Sequence, residues 1–288
     1  IYEYIQVGIK LNCFLAIDIS QKEDNKLYKK VLSCFGNNLS YYICNEKKQA
    51  IFKTYGFGIK KDFNKYFFNL NNDLNNDLSN PDIITINEVC IKYKEVVNKV
   101  NNDDSIIREN KLKDLIKHVS NEITIRYEPL EYNILFILAS DIPSDIKETL
   151  DSIVHSTYLP ISIIIIGIGD NINLDKFKSF NNLPKYSSAG VEKIRNNCLF
   201  ISFKEYNNNE NEISKKFLRE IAKNMVEYYY LNNCSPEKLL KKNTESIKYS
   251  FNLYTSYMNI QESVFKSVKA SNMDEVKAED KDKDKDQE

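Results

Sequence analysis

Two stretches of this chain are apolar at almost every position: ILFILA at residues 134–139 and ISIIIIGI at 161–168. A strand with one solvated face alternates apolar and polar side chains, so unbroken Ile/Leu runs belong to strands covered on both faces. Such strands occur in parallel sheets sandwiched between helices. The segment between them, PSDIKETLDSIVHSTY, has helical spacing and is opened by Pro143. The two runs are therefore expected to be adjacent, central and parallel. The longest apolar run covers about ten residues, half of the ~20 that cross a bilayer. No basic stretch followed by an apolar segment opens the chain, so no leader is expected, and the first residue, Ile1, suggests a piece of a longer protein.

The remaining pattern extends the same architecture. LNCFLAIDI (11–19) reads as a strand carrying Asp18 to its carboxyl end, and DNKLYKKVLSCFG as a helix with Gly36 as its stop. AIFKTYGFG and KYFFNL read as short aromatic strands, followed by an Asn/Asp loop and a turn at residues 80–82. INEVCIKYKEVVNKV and ENKLKDLIKHVSNEI read as helices, the second with Leu112, Leu115, Ile116 and Val119 on one face. CLFISF (198–203) adds a strand, and NEISKKFLREIAKNMVEYYYLNN a long closing helix whose Tyr228, Tyr229 and Tyr230 are expected in the core. Helical spacing continues from Pro236 to about Val268, and beyond Ser271 the chain is a charged tail with too little apolar surface to order. The fold class that follows is α/β, a doubly wound and mostly parallel sheet with helices on both faces.

Charge excludes one class of partner. The 40 basic and 41 acidic side chains give a net charge of −1, without the basic field that draws a protein to nucleic acid. Removing the acidic tail leaves a body of about +3. The many Asn and Lys residues read as the codon usage of an AT-rich genome. The six cysteines are scattered, without C-x-x-C pairs or neighbouring histidines, so zinc modules are excluded and reduced, buried thiols are expected. No phosphate-binding glycine motif follows the first strand; Gly56/Gly58 and Gly167/Gly169 read as turns at strand ends. No catalytic constellation emerges: His118 reads as packed or surface, and His155 as a favourable cation late in its helix.

Several segments, in order and with preserved spacing, resemble the copine family and its von Willebrand factor A-like domain. They are YIQVGIKLNCFLAIDIS, close to the family's YI-x-G-G…AIDFTAS; FKTYGFGIK, close to FP-x-FGFGA; FFNLN followed by Asn80 and Pro81; LPISIIIIGIGD, close to LPLSIIIVGVG; and CLFISFKEY, close to VQFVPFRE. The resemblance runs from about Tyr4 to Tyr230. It implies a six-stranded, largely parallel sheet over residues 1–233; the spacing and composition beyond it make 234–270 a helical extension and 271–288 a disordered tail. It also implies an intracellular, cytoplasmic protein that recruits protein partners and binds phospholipid through calcium-dependent domains outside this sequence, giving peripheral membrane association.

Many A-like domains hold Mg2+ or Mn2+ through a D-x-S-x-S loop, a Thr from a second loop and an Asp from a third. Here the resemblance places Asp18 and Ser20 in the first loop, with Lys22 where a serine ligand belongs. Asn110 falls at the threonine position, where Arg108, Glu109 and Asn110 replace G-P-T, and Asp141 matches the third aspartate with Ile142 replacing its glycine. An ammonium about 4 Å from a divalent ion costs several kcal/mol even at an effective dielectric near 20. A degenerate site is therefore expected, with Lys22 pairing Asp18 and Asp141, and no resident cofactor. The function expected is a non-enzymatic protein-interaction domain of a copine-like, calcium-dependent phospholipid-binding adaptor. Two alternatives stay open: a ubiquitin-ligase relative whose RING lies outside this chain, and an A domain that binds its ligand through metal.

Overall fold

The computed structural model describes residues 2–20, 25–39, 43, 51–60, 66–72, 78–169, 173–206 and 209–241. The expected extension past residue 241, the charged tail and Lys22 lie outside the described residues. The central strands are β1 (Lys10–Asp18), β2 (Phe52–Phe57), β7 (Glu131–Ala139), β8 (Ile161–Gly167) and β9 (Cys198–Ser202). Two-residue β3 (Ile59–Lys60) pairs antiparallel with β6 (Ile107–Arg108) as a separate ladder. Three-residue β4 (Phe67–Asn69) and two-residue β5 (Asp82–Ile83) both pair antiparallel with β2.

The main sheet runs β4-β2-β1-β7-β8-β9, with β5 attached to β2 off that path. The four central pairings, β2 to β1, β1 to β7, β7 to β8 and β8 to β9, are all parallel. The two apolar runs are thus neighbours, with Phe136 opposite Ile164. They are buried at every position from Tyr132 to Ala139 and from Ile161 to Gly167, as strands covered on both faces must be.

Each face has its own core. One face packs against α2 (Asn25–Leu39), α3 (Ile86–Asn101) and α7 (Glu210–Leu231), through Val31, Val96 and Phe217 among others. The other packs against α4 (Lys113–Ile125) and α5 (Ile146–Ser156), through Ile116, Val119 and Ile153. Fully burying one such aliphatic side chain contributes roughly 1.5–3 kcal/mol. Short α1 (Tyr2–Gln6) docks by stacking Tyr4 on Tyr229 at 5.1 Å, and α6 (Leu174–Phe177) buries Phe177 against Phe200. The last described element is α8 (Pro236–Lys241). Among the described residues no helix is long and apolar enough to cross a membrane.

Several local expectations change. The helix α2 does not stop at Gly36 but passes through it to Leu39. Gly36 instead makes room for a neighbour, since a Cβ there would sit 2.5 Å from Ile86 Cγ1. Pro143 lies in the turn before α5, which begins at Ile146. Gly56 lies inside β2, where a Cβ would meet the Phe68 ring at 2.3 Å, so it is a packing glycine and not a turn. Tyr228 and Tyr229 are fully buried, but Tyr230 is 77% exposed on the outer side of α7. His155 is not the cation expected of a helix end: burial pushes its pKa below the ordinary value, with Asp151 opposing and Lys117 assisting. Its Nε2 lies 3.1 Å from Ser187 Oγ. His118 is packed between the rings of Tyr55 and Phe67. Cys13, Cys34, Cys90, Cys198 and Cys234 are buried free thiols.

Candidate functional site

The strand order reverses its direction of growth between β1 and β7. The helix after β1 covers one face of the sheet and the helix after β7 the other. The two loops therefore diverge and leave a crevice at the carboxyl ends, where doubly wound sheets bind their ligands. Asp18, Ser140 and Asp141 sit at these ends because the two strands stop in register, with Ile17 opposite Leu138.

Asp18 is 1% exposed and sits at the centre of this crevice. Its Oδ1 accepts from the Ser20 backbone N–H at 2.8 Å. Its Oδ2 accepts from Ser140 N at 3.0 Å, Ser140 Oγ at 2.5 Å and Asn110 Nδ2 at 3.2 Å. Burial pushes the carboxyl above the usual carboxylate range, and hydrogen bonds from Ser140 and Ser20 pull it back. One carboxylate thus ties three chain segments together, so each segment is positioned by the charge it helps to solvate.

The surrounding backbone fixes these donors. Arg108 donates through Nη1 to the carbonyls of Ile19 and Ser20, and through Nη2 to Val100 O and Asn101 Oδ1, which holds the end of the first loop. Asp145 accepts from the backbone N–H groups of Leu112 and Lys113, capping the start of α4 from the neighbouring loop. Ser144 N donates to Asn110 O at 2.8 Å, so the second and third loops are stitched together. Gly58 adopts φ +89°, and a Cβ there would approach Asp18 Oδ1 to 2.5 Å. Only glycine lets the backbone come this close. At the rim, the ammonium of Lys111 holds the Glu109 carboxyl below its ordinary pKa from 3.0 Å and lies over the Tyr66 ring.

Asp18, Ser20 and Asn110 thus meet at one place, and Asp141 joins them through its backbone carbonyl. Their chemistry departs from a cation shell in a specific way. Asn110 directs its amide nitrogen at Asp18, and its other N–H bond goes to Asp141 O at 2.9 Å. Its oxygen Oδ1 is buried without a hydrogen-bond partner. The opposite amide orientation would set that oxygen against Asp18 Oδ2, so the donor orientation is electrostatically enforced. Asp141 is exposed, and its Oδ1 accepts from the N–H of Ile142. Hard divalent ions require about six oxygen ligands, whereas here the oxygens of Asp18 are engaged by N–H and O–H donors. In this arrangement the described oxygens of Asp18 face donors, and Lys22 of the same loop lies outside the described residues. Among the described residues no group of three or more His, Cys, Asp or Glu side chains is placed to hold one.

Sequence reasoning missed Ser140, the strongest partner of Asp18, and the clamp made by Arg108. A hydroxyl immediately after a strand that ends beside Asp18 was the available signal for Ser140. The close approach at Gly58 was visible only as a G-x-G fragment.

The sheet order, the layering and an acid at the crevice between β1 and β7 define a doubly wound α/β domain, the architecture that the resemblance implies. A family model described as Copine matches residues 17–237, and the chain belongs to the copine family. Among curated relatives it is similar to Copine-F of Dictyostelium discoideum, 32% identical over 127 residues that cover 40% of this chain and 22% of the relative. It is also similar to Copine-B of the same organism, 24% identical over 257 residues that cover 81% and 45% respectively. The chain thus spans less than half the length of these relatives. Among solved structures, it matches a manganese-loaded Plasmodium vivax TRAP protein at 12% identity and TM-score 0.39, over 69% of this chain and 70% of that one. A von Willebrand factor type A protein from Catenulispora acidiphila matches at 11% identity and TM-score 0.35, over 75% and 42%.

Proposed function

We propose that this domain is the partner-recruiting arm of a copine-type adaptor, and that hydrogen bonds around Asp18, in place of a divalent ion, organise its ligand-facing crevice. The observation that carries this reading is the Asn110 amide. Turning its oxygen toward a cation at Asp18 would break the bonds to Asp18 and to Asp141 O. Lys22, at the position where a serine ligand would complete the first loop, adds a further cost by charge repulsion. Family membership supports a role in recruiting protein partners and, with it, a non-enzymatic reading. In this reading, calcium-dependent phospholipid binding belongs to parts of the full-length protein outside this sequence. Cytoplasmic location with peripheral membrane association follows from those parts.

The test is a melting curve with Mg2+ or Mn2+ titrated to millimolar concentration. A ligand that binds only the native state raises stability by RT ln(1 + [L]/Kd). The wild-type melting temperature should stay constant, while Lys22→Ser combined with Asn110→Thr should gain a saturable rise that Asp18→Ala abolishes. Saturable stabilisation of the wild type, lost on Asp18→Ala, would establish a metal-dependent crevice and overturn the reading.

A further inference from the structure

The sheet changes character at the amino ends of its strands, the end opposite Asp18. On the face covered by α4 and α5, alternate residues of three adjacent strands point into the core. Phe14 and Ala16 of β1, Tyr55 and Phe57 of β2, and Leu135 and Ile137 of β7 are buried there. The positions that precede them on the same face are Asn12, Lys53, Asn133 and Glu131, all polar or charged. These four line a cavity with Phe14, under the end of α4 and the residues just after it, where Glu122, Arg126 and Glu128 stand. The cavity measures about 40 Å³, room for roughly three waters at ~10–15 Å³ each.

The charges around this cavity are sorted by sign. Lys53 bonds Glu122, with its Nζ 5.0 Å from the centre of the Phe14 ring. Arg126 Nη1 lies 3.3 Å from Glu122 Oε1, and the Tyr55 hydroxyl donates to Glu122 Oε2 at 3.3 Å. Two cations therefore share one carboxylate, and this side keeps a net positive charge with N–H groups to spare. On the other side of β1, Glu131 Oε2 accepts from Asn12 Nδ2 at 2.8 Å, and Glu128 is exposed at the rim. Among the described residues neither of these two carboxylates has a cationic side chain as partner. Between the two sides the amides are fixed. Asn12 Nδ2 also donates to Asn133 Oδ1 at 3.3 Å, and Asn133, 5% exposed, donates to Pro160 O at 3.1 Å. A cavity of a few waters, positive on one side and negative on the other, suits a ligand that carries both charges within a few atoms.

We propose that this cavity binds a free α-amino acid, its carboxylate received by Arg126 and Lys53 and its ammonium by Glu131 and Glu128. The site lies at the end of the sheet away from the Asp18 crevice, so it is a second binding site and does not depend on what the crevice recruits.

The test is a titration of the full-length, 15N-labelled protein with glycine and L-alanine to millimolar concentration, followed through the side-chain amide signals of Asn12 and Asn133. Both signals should shift saturably. N-acetylglycine and glycinamide, which each lack one of the two charges, should leave them in place. Glu131→Gln keeps an acceptor for Asn12 while removing the negative charge, and Arg126→Gln removes the exposed cation. Each should weaken binding by about tenfold or more, the scale of one charge-assisted hydrogen bond, with little change in the melting temperature of the unliganded protein. Amide signals that stay in place with glycine and L-alanine, equal shifts from the blocked compounds, or wild-type affinity in either variant would each overturn the proposal and leave the cavity to water.

Discussion

Among the described residues one ionisable side chain without a charged partner is buried at each end of the sheet, and the two are satisfied in mirror fashion. At the carboxyl ends of the strands, Asp18 is surrounded by neutral donors from Ser20, Ser140 and Asn110. At the other end Arg195, 2% exposed, donates to the carbonyls of Thr157, Leu159, Ile161 and Asn224 and lies against the Tyr228 ring. Among the described residues neither has an oppositely charged side chain as partner. In both cases backbone and side-chain dipoles replace a counter-ion, and the charge cross-links segments distant in sequence. Only the first lies at the crevice where this architecture binds ligands. A buried charge by itself is therefore a poor marker of function; its place relative to the strand ends is what distinguishes the two.

The comparison rests on the claim that a buried charge survives only where dipoles converge. The layer between the two ends tests it most severely. Ile164 is fully buried in the centre of β8, and its backbone polar groups are committed to the ladders with β7 and β9. Ile164→Asp would place a carboxylate there with no free donor, a cost of several kcal/mol against a total stability of roughly 5–15 kcal/mol. No soluble, cooperatively melting protein should be recovered. A cooperative melt would refute both the placement of β8 and the contrast built on it.

Arg195→Met comes next in size. It keeps the aliphatic bulk against Tyr228 but strips donors from four buried carbonyls, a loss of about 3–5 kcal/mol on the scale of broken buried charge networks. A fall in melting temperature of roughly 10 °C is expected, by calorimetry or circular dichroism. Asp18→Asn should cost less, about 1–3 kcal/mol, because an amide can still accept through one oxygen while its NH2 opposes a donor at the other. The two variants should also differ in kind. Amide exchange in Asp18→Asn should quicken around Ser20, Asn110 and Ser140, whereas in Arg195→Met it should quicken around Thr157–Ile161 and Asn224. Equal costs with uniform exchange in both would dissolve the distinction between the two ends.

The fold was legible because the two apolar runs can satisfy their burial in only one architecture, and the crossover pattern then places Asp18 at a strand end. The approach of Asn110 to Asp18 was expected from resemblance in spacing, not from the residue types alone, while Asp141 turns its carboxyl to Ile142 N. What escaped was whatever depends on exact approach. Gly36 looks like a helix stop in sequence, yet its missing Cβ serves Ile86 on another helix. Ser140 looks ordinary until β1 and β7 are paired in register. Arg195 gave no signal at all, because its partners are backbone carbonyls that any sequence possesses.

The smallest effect concerns a half-buried titratable group, a histidine that belongs to neither hub. His155 ends α5, contacts Ser187 Oγ and is depressed in pKa by burial, with Lys117 adding to the depression and Asp151 opposing it. The unfolded chain, with an imidazole pKa near 6.5, therefore binds more protons than the native protein between the depressed value and 6.5. The contribution of this group is fully present above about pH 6.5 and declines as the pH falls through that window. His155→Gln keeps a hydrogen-bonding group near Ser187 and removes the titration. Wild-type stability measured by urea unfolding should thus decline from pH 7.5 to 5 more than that of the variant, by a fraction of a kcal/mol up to about 1 kcal/mol given the partial exposure. Parallel pH profiles would show that the imidazole is solvated like a surface histidine. The acid sensitivity of the protein would then have to arise elsewhere.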